Sequence, residues 1–159
     1  MPSMPDIMKA LTSLQREYDR GMPAKTCALN QEYKVFYDHP KGVKRLSYAK
    51  IVGNRIQVVA IFALADPIGS TPCFNIGYAV TPNNRGRNLA AEAVAVGIEE
   101  LKHGLRRTGQ GCFYVEAVID ASNLASLRVA EKVFPLPGTQ ITDDESGLPA
   151  LHFMKLIYF

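Results

Sequence analysis

Cysteine is scarce in this sequence and badly placed for cross-linking. Cys27, Cys73 and Cys112 are odd in number, far apart and without a CxxC pair, which argues against a disulfide framework or a thiolate zinc site and leaves reduced, buried thiols as the expectation. Long apolar runs are missing too. None reaches the roughly 18 residues of a membrane span, and the opening MPSMPDIMKALTSL has no cationic segment followed by an apolar core and a cleavage site. A cytosolic (cytoplasmic) protein with no membrane partner is expected. No sign of charge dominates: 18 basic and 15 acidic residues leave a formal +3, scattered along the chain. That lacks the basic stripe of a nucleic-acid binder, so no nucleic-acid partner is expected, while an anionic small molecule suits the mild bias. His39, His103 and His152 are isolated, with no second ligand at metal spacing, and no metal is expected. There is neither a GxSxG elbow nor a GxxxxGK[ST] loop, which leaves hydrolase and nucleotide-triphosphatase readings without support.

What is present is sequential order without repeats or linkers. The 159 residues read as a single domain, 1–159, long enough to bury about two-thirds of its unfolded surface. Ile7, Leu11, Leu14 and Tyr18 recur at helical spacing between Pro5 and Gly21, which predicts an amphipathic first helix closed by a glycine cap. The period then changes. Glu32 to Tyr37, Arg45 to Ile51 and Arg55 to Ala63 are rich in β-branched and aromatic residues and are separated by HPKG and VGN, the pattern of antiparallel strands. A fourth strand, Cys73 to Val80, lies between DPIGSTP and TPNN. A helix follows with Ala90, Val94, Ile98, Leu101 and Leu105 as its buried stripe. Then come a fifth strand, Phe113 to Ile119, a short helix, Asn123 to Val133, and two strands, Thr139 to Thr142 and Leu151 to Tyr158, joined by the acidic turn DDESG, whose Asp143, Asp144 and Glu145 would attract a cationic amine or, the favoured reading, keep a hairpin solvated. Strand, helix and strand in succession imply a crossover with the fourth and fifth strands parallel. The fold class is therefore α/β, with a mixed sheet that is antiparallel at its start.

The most informative stretch is NNRGRNLAAE, Asn83 to Glu92. Cations at a helix N-terminus oppose the helix dipole, so a bound anion is the natural reason to gather Arg85 and Arg87 there. Backbone N–H groups of the first turn, from Arg87 and Asn88 through Leu89 to Ala90, have no intrahelical acceptor and can point at a pyrophosphate. Gly86 and Ala90 are small enough to let the backbone approach it. The bland alternative is a basic loop capping a surface helix. Glu92 is expected to offset the dipole.

The run GYAVTPNNRGRNLAAEAV, Gly77 to Val94, resembles the acyl-CoA signature of the GNAT acetyltransferases, and NLASLRVAEK, Asn123 to Lys132, resembles the family's helix after the fifth strand. The closest likeness is to the branch that acetylates ribosomal-protein N-termini. The resemblance implies a mixed, mostly antiparallel sheet of about seven strands flanked by helices, whose parallel central pair splays to hold acyl-CoA. It implies acetyl-CoA as co-substrate and a primary amine, of a protein N-terminus or a small molecule, as acceptor. Backbone at Tyr78, Ala79 and Val80 would bond the pantetheine arm, with one N–H there as oxyanion donor. Asn123 would bond the arm from the other side or cap its helix, and Ser126 would contact the cofactor or serve structure alone. A homodimer is left open.

Transfer to an amine requires deprotonating an ammonium, stabilising an oxyanion and protonating the leaving sulfur. Glu116 in the fifth strand and Asp120 just after it are the candidates for base, each set against the reading of a solvated outer-face carboxylate. In many family members a tyrosine acid stands where Ala130 stands here, so Tyr78 or water becomes the candidate acid. Two departures from the family pattern are Asn88, in place of the middle glycine of the phosphate loop, and VFP at Val133 to Pro135, in place of Gly-Phe. They define the alternative: a degenerate domain of this fold acting as a non-catalytic binding or regulatory module.

Overall fold

The computed structural model describes residues 6–159; Pro5, expected to precede the first helix, lies outside them. Helix α1 (Ile7–Asp19) begins at Asp6, whose carboxylate accepts from Lys9 N at 3.1 Å, and it ends before Gly21 at φ 95°. Strands β1 (Lys25–Thr26), β2 (Tyr33–Asp38), β3 (Arg45–Val52), β4 (Arg55–Ile68) and β5 (Thr71–Val80) follow. Helix α2 (Leu89–Leu105), β6 (Cys112–Asp120), α3 (Leu124–Val133), β7 (Thr139–Thr142) and β8 (Pro149–Tyr158) complete the described chain. The strands form one sheet in the order β1-β2-β3-β4-β5-β6-β8-β7, antiparallel throughout except for β5 beside β6.

The expected mixed, mostly antiparallel sheet with one parallel pair is found, with the two-residue β1 adding an eighth strand at its edge. Two expectations need correction. Strand β4 does not stop at Ala63 but continues to Ile68, and only Gly69 and Ser70 of DPIGSTP turn the chain. The β4–β5 register shifts between Ala65 and Ile68, which accommodates Pro67 where the ladder would otherwise need its missing N–H. The acidic turn is not wholly solvated: Asp143 is 2% exposed and its Oδ2 accepts from Ser146 N at 2.9 Å. A carboxylate one methylene from its own backbone can accept from an N–H a few residues on, here three, and so folds into an Asx-type turn rather than into water.

Burial explains why β4 reads as an almost unbroken apolar run. Val58, Ala60 and Phe62 face α2, where they pack with Tyr48, Val94, Ile98 and Phe113. Val59 and Ile61 face α1, packing with Leu11, Leu14 and Phe36. A strand covered on both faces has no solvent side on which to place polar residues. Two polar pins fix the helices to the sheet. Buried Gln15 of α1 accepts from Ile56 N at 2.7 Å and donates to Asn54 O at 3.0 Å. Glu100 of α2 accepts from the backbone N–H groups of Ala28, Leu29 and Asn30. Near the start of α2, Glu92 accepts from the Tyr33 hydroxyl at 2.6 Å and stands 3.5 Å from Lys50 Nζ.

Candidate active site

Strands β5 and β6 pair only at Cys73↔Tyr114, Phe74↔Val115 and Asn75↔Glu116. Beyond that vertex they part, while β5 keeps β4 as its outer partner to Val80 and β6 keeps β8 to Asp120. The inner edges of both strands therefore present backbone donors and acceptors without a neighbouring strand, which is an invitation to an extended, amide-bearing ligand. The gap is a cleft of about 820 Å³ lined by residues from both faces of the sheet. Gly77 and Ala79 of β5 turn toward α1; Ile76, Tyr78 and Val80 turn toward the α2 side. All five line the cleft, together with Val118, Ile119 and Asp120 of β6. It thus passes through the sheet rather than lying on it.

At its wide end stands the N-terminus of α2. Gly86 has φ 81°, and Asn88, the N-cap position, has φ 61° and ψ 23°. Asn is among the few side chains that enter this left-handed region at small cost, so the loop keeps its path without the family's glycine. The Asn88 side chain does not cap the helix; its Oδ1 accepts instead from Lys132 Nζ at 2.7 Å. No side chain therefore caps the first turn of α2, where Leu89 and Ala90 line the cleft. Arg85 also lines it, with Nε donating to Val80 O at 3.2 Å. Arg87 is placed differently: it is exposed, donates to Asn84 Oδ1 at 3.4 Å and does not line the cleft. Two cations that sequence reasoning left unassigned do line it, Arg128 and Lys132 of α3. Their i,i+4 spacing on a short helix was the available signal.

Tyr78 links the two walls, its hydroxyl donating to Ser126 O at 2.6 Å. Burial pushes its pKa well above the usual phenol value, so the O–H proton stays in place at neutral pH. Asn123 caps α3, its Oδ1 accepting from Ser126 N at 3.2 Å, and both residues line the cleft. The Asp120 carboxylate accepts from the Ser122 backbone and hydroxyl, and these bonds hold its pKa below the ordinary aspartate value. Lowered basicity makes it a poor proton acceptor near pH 7. Ala130, at the place of the family's tyrosine, is fully buried.

Glu116 is the last β6 residue paired with β5, so it sits at the vertex of the cleft without lining it. It is not a solvated outer-face carboxylate: it is 8% exposed, and its Oε2 lies 2.9 Å from His152 Nε2. His152, isolated in the sequence, is therefore partnered in the fold. The buried Cys73 thiol also contacts Glu116, and burial together with that carboxylate pushes its pKa up to about 12. His39 likewise has a neighbour, the Tyr37 hydroxyl at 2.7 Å. Among the described residues no group of three or more His, Cys, Asp and Glu side chains could hold a metal, and no helix is long and apolar enough to cross a membrane.

Comparison with known proteins agrees with this geometry. The family model described as "Acetyltransferase (GNAT) domain" matches residues 24–133, which include strands β1 to β6, both cleft helices and the loop between Val80 and Leu89. No curated protein matches. Among solved structures, RimJ of Mycobacterium smegmatis in complex with CoA-disulfide is 15% identical with a TM-score of 0.58, over 94% of this chain and 78% of that one. The ribosomal L7/L12 alpha-N-protein acetyltransferase RimL is 19% identical with a TM-score of 0.54, over 71% of this chain and 61% of its own. A GNAT-family acetyltransferase of Bacillus anthracis is 18% identical with a TM-score of 0.52, over 70% and 65%. The chain thus spans less than two-thirds of the latter two, and at these identities the likeness is one of fold.

Proposed function

This chain belongs to the GNAT acetyltransferase family, whose members use acetyl-CoA, and from that premise we propose that it transfers the acetyl group of acetyl-CoA to a primary amine. One observation carries the reading: the splayed gap between β5 and β6 opens directly onto an N-terminus of α2 that no side chain caps. An anionic head needs the second feature and a peptide-like arm needs the first. The residues present fit such a ligand. The first-turn N–H groups of α2, with Gly86, Arg85, Arg128 and Lys132 beside them, supply donors and charge for a pyrophosphate. The inner edge of β5 from Gly77 to Val80 supplies strand-like hydrogen bonds for the pantetheine amides, and one of its N–H groups would polarise the thioester carbonyl. Bound there, acetyl-CoA supplies an acyl group on a good leaving thiolate. Tyr78 holds a proton within the cleft and is our candidate donor to the departing sulfur; Asn123 and Ser126 shape the wall opposite β5.

The departure at Asn88 does not remove these features. Asn88 keeps the left-handed conformation, lines the cleft and accepts from Lys132 Nζ rather than capping the helix. Three unpaired cysteines, two of them buried, suit a reducing, cytosolic setting. The test is thiol release from saturating acetyl-CoA with peptide N-termini, polyamines, amino acids and aminoglycosides, run beside calorimetric titration with acetyl-CoA. Binding with turnover of at least one amine class supports the proposal. Absence of binding defeats it in favour of a non-catalytic module.

A further inference from the structure

Beside the vertex of the cleft, outside its lining, stands an ionisable pair that the binding features leave unused. Glu116 and His152 come from neighbouring strands, β6 and β8, and share one face of the sheet with Gly77 and Ala79 of β5, by the register Asn75↔Glu116 and Val118↔His152. Val118, directly opposite His152, lines the cleft. This is the α1 face, reached through the gap from the α2 face where the cations Arg128 and Lys132 stand on α3. A carboxylate this buried is costly unless paired, and its partner is the side chain best suited to exchange a proton near neutral pH.

We propose that His152 is the group that takes the proton from the acceptor amine, with Glu116 as its positioning residue; this rests on the acetyltransferase reading above. With Glu116 ionised, the shared hydrogen sits on His152 Nε2 and is donated to Oε2, which leaves the lone pair on Nδ1. The ammonium of the acceptor gives one proton to Nδ1, and the resulting imidazolium is stabilised by Glu116. The freed amine nitrogen attacks the acetyl carbonyl carbon, forming the C–N bond; collapse of the tetrahedral intermediate breaks the C–S bond. The second nitrogen proton leaves with the thiolate as thiol, by way of Tyr78 or water, and His152 returns its proton to solvent. By strand alternation the other titratable groups of β5, β6 and β8 on this face are Cys73, Cys112, Tyr114, Asp120 and Tyr158; Asp6, at the start of α1, lines the same cleft. Asp120 is engaged by Ser122, and Cys73 is a protonated thiol. His152 is 24% exposed at its side chain and Glu116 11%, so the imidazole is the more accessible member.

The test needs no knowledge of the acceptor. Histidine-labelled full-length protein is titrated with acetyl-CoA and separately with CoA, and the imidazole nitrogens are followed by NMR; His39 and His103 are internal controls, and H152Q, or H152N should that variant not fold, assigns the signal. The expected result is an imidazole with its hydrogen on Nε2 whose resonances move with acetyl-CoA more than with CoA, while the controls stay fixed. E116Q should abolish that tautomer preference, and H152Q should leave the acetyl-CoA dissociation constant within about threefold by calorimetry. Tight acetyl-CoA binding with an unmoved His152, or an Nδ1–H tautomer, overturns the proposal and leaves the acetyltransferase reading standing. No acetyl-CoA binding at all overturns both.

Discussion

Asn88 holds a backbone conformation that most side chains resist, and two effects decide what a substitution there does. Alanine would meet the left-handed region at a cost of roughly 1–2 kcal/mol and would also release Lys132 from its 2.7 Å contact. Glycine would lose the contact but relax the backbone. We therefore expect Asn88→Ala to lower the melting temperature by several degrees, at about 2–4 °C per kcal/mol for a chain of this size, and Asn88→Gly to leave it nearly unchanged. Affinity for CoA in Asn88→Gly should shift by no more than about tenfold, or 1.4 kcal/mol, in either direction. Calorimetric titration of both forms checks this. Binding that appears only in the glycine variant would mean that the natural loop has lost its ligand and that the non-catalytic reading applies.

At the scale of elements, the contact between α2 and β4 shows propensity and packing in opposition. Gly97 lies inside α2, where alanine would be favoured by about 1 kcal/mol on helix propensity alone. A Cβ at Gly97, however, would overlap the edge of the Phe62 ring and come within 3.0 Å of Tyr48. Both rings are buried and stacked edge to face at 5.5 Å between centroids, so neither can move aside freely. Overpacking typically costs about 1–3 kcal/mol and should win. Gly97→Ala is expected to unfold at lower denaturant concentration than wild type, and Gly104→Ala, where nothing lies within 4 Å, at equal or higher concentration. Parallel urea melts of the two variants decide the point; stabilisation of both would mean that α2 does not press on Phe62.

For the whole molecule, the cleft interrupts what would otherwise be a continuous sheet, because β5 and β6 share only three paired positions. A ligand that bonds both inner edges would join the two halves, one built on β1 to β5 and the other on β6 to β8. Binding at a hundred times the dissociation constant adds about 2.7 kcal/mol, so saturating acetyl-CoA should raise the melting temperature by about 5–10 °C. Thermal denaturation monitored with and without the ligand measures it. A curve that does not move at millimolar acetyl-CoA counts against the cleft as the acyl-CoA site.

Local physics was legible in the residues themselves. The spacing of Ile7, Leu11 and Leu14, the β-branched run of β4, the Asn123 cap and the glycine-bearing loop before α2 each depend on neighbours within a few positions, so helices, strands and that loop could be read without a fold. Even the left-handed backbone at Asn88 follows from the conformations Asn tolerates. Contacts across the sheet could not be read this way. Lys132 reaches Asn88 over 44 residues, Tyr78 reaches Ser126 over 48, and His152 reaches Glu116 over 36. Each depends on strand register or on helix docking, and a shift of one residue in β8 would carry His152 to the opposite face of the sheet. For that reason a histidine that stands alone in the sequence becomes half of a partly buried pair only when β6 and β8 align, and a lysine in a helical motif becomes part of the cleft only when α3 packs beside α2.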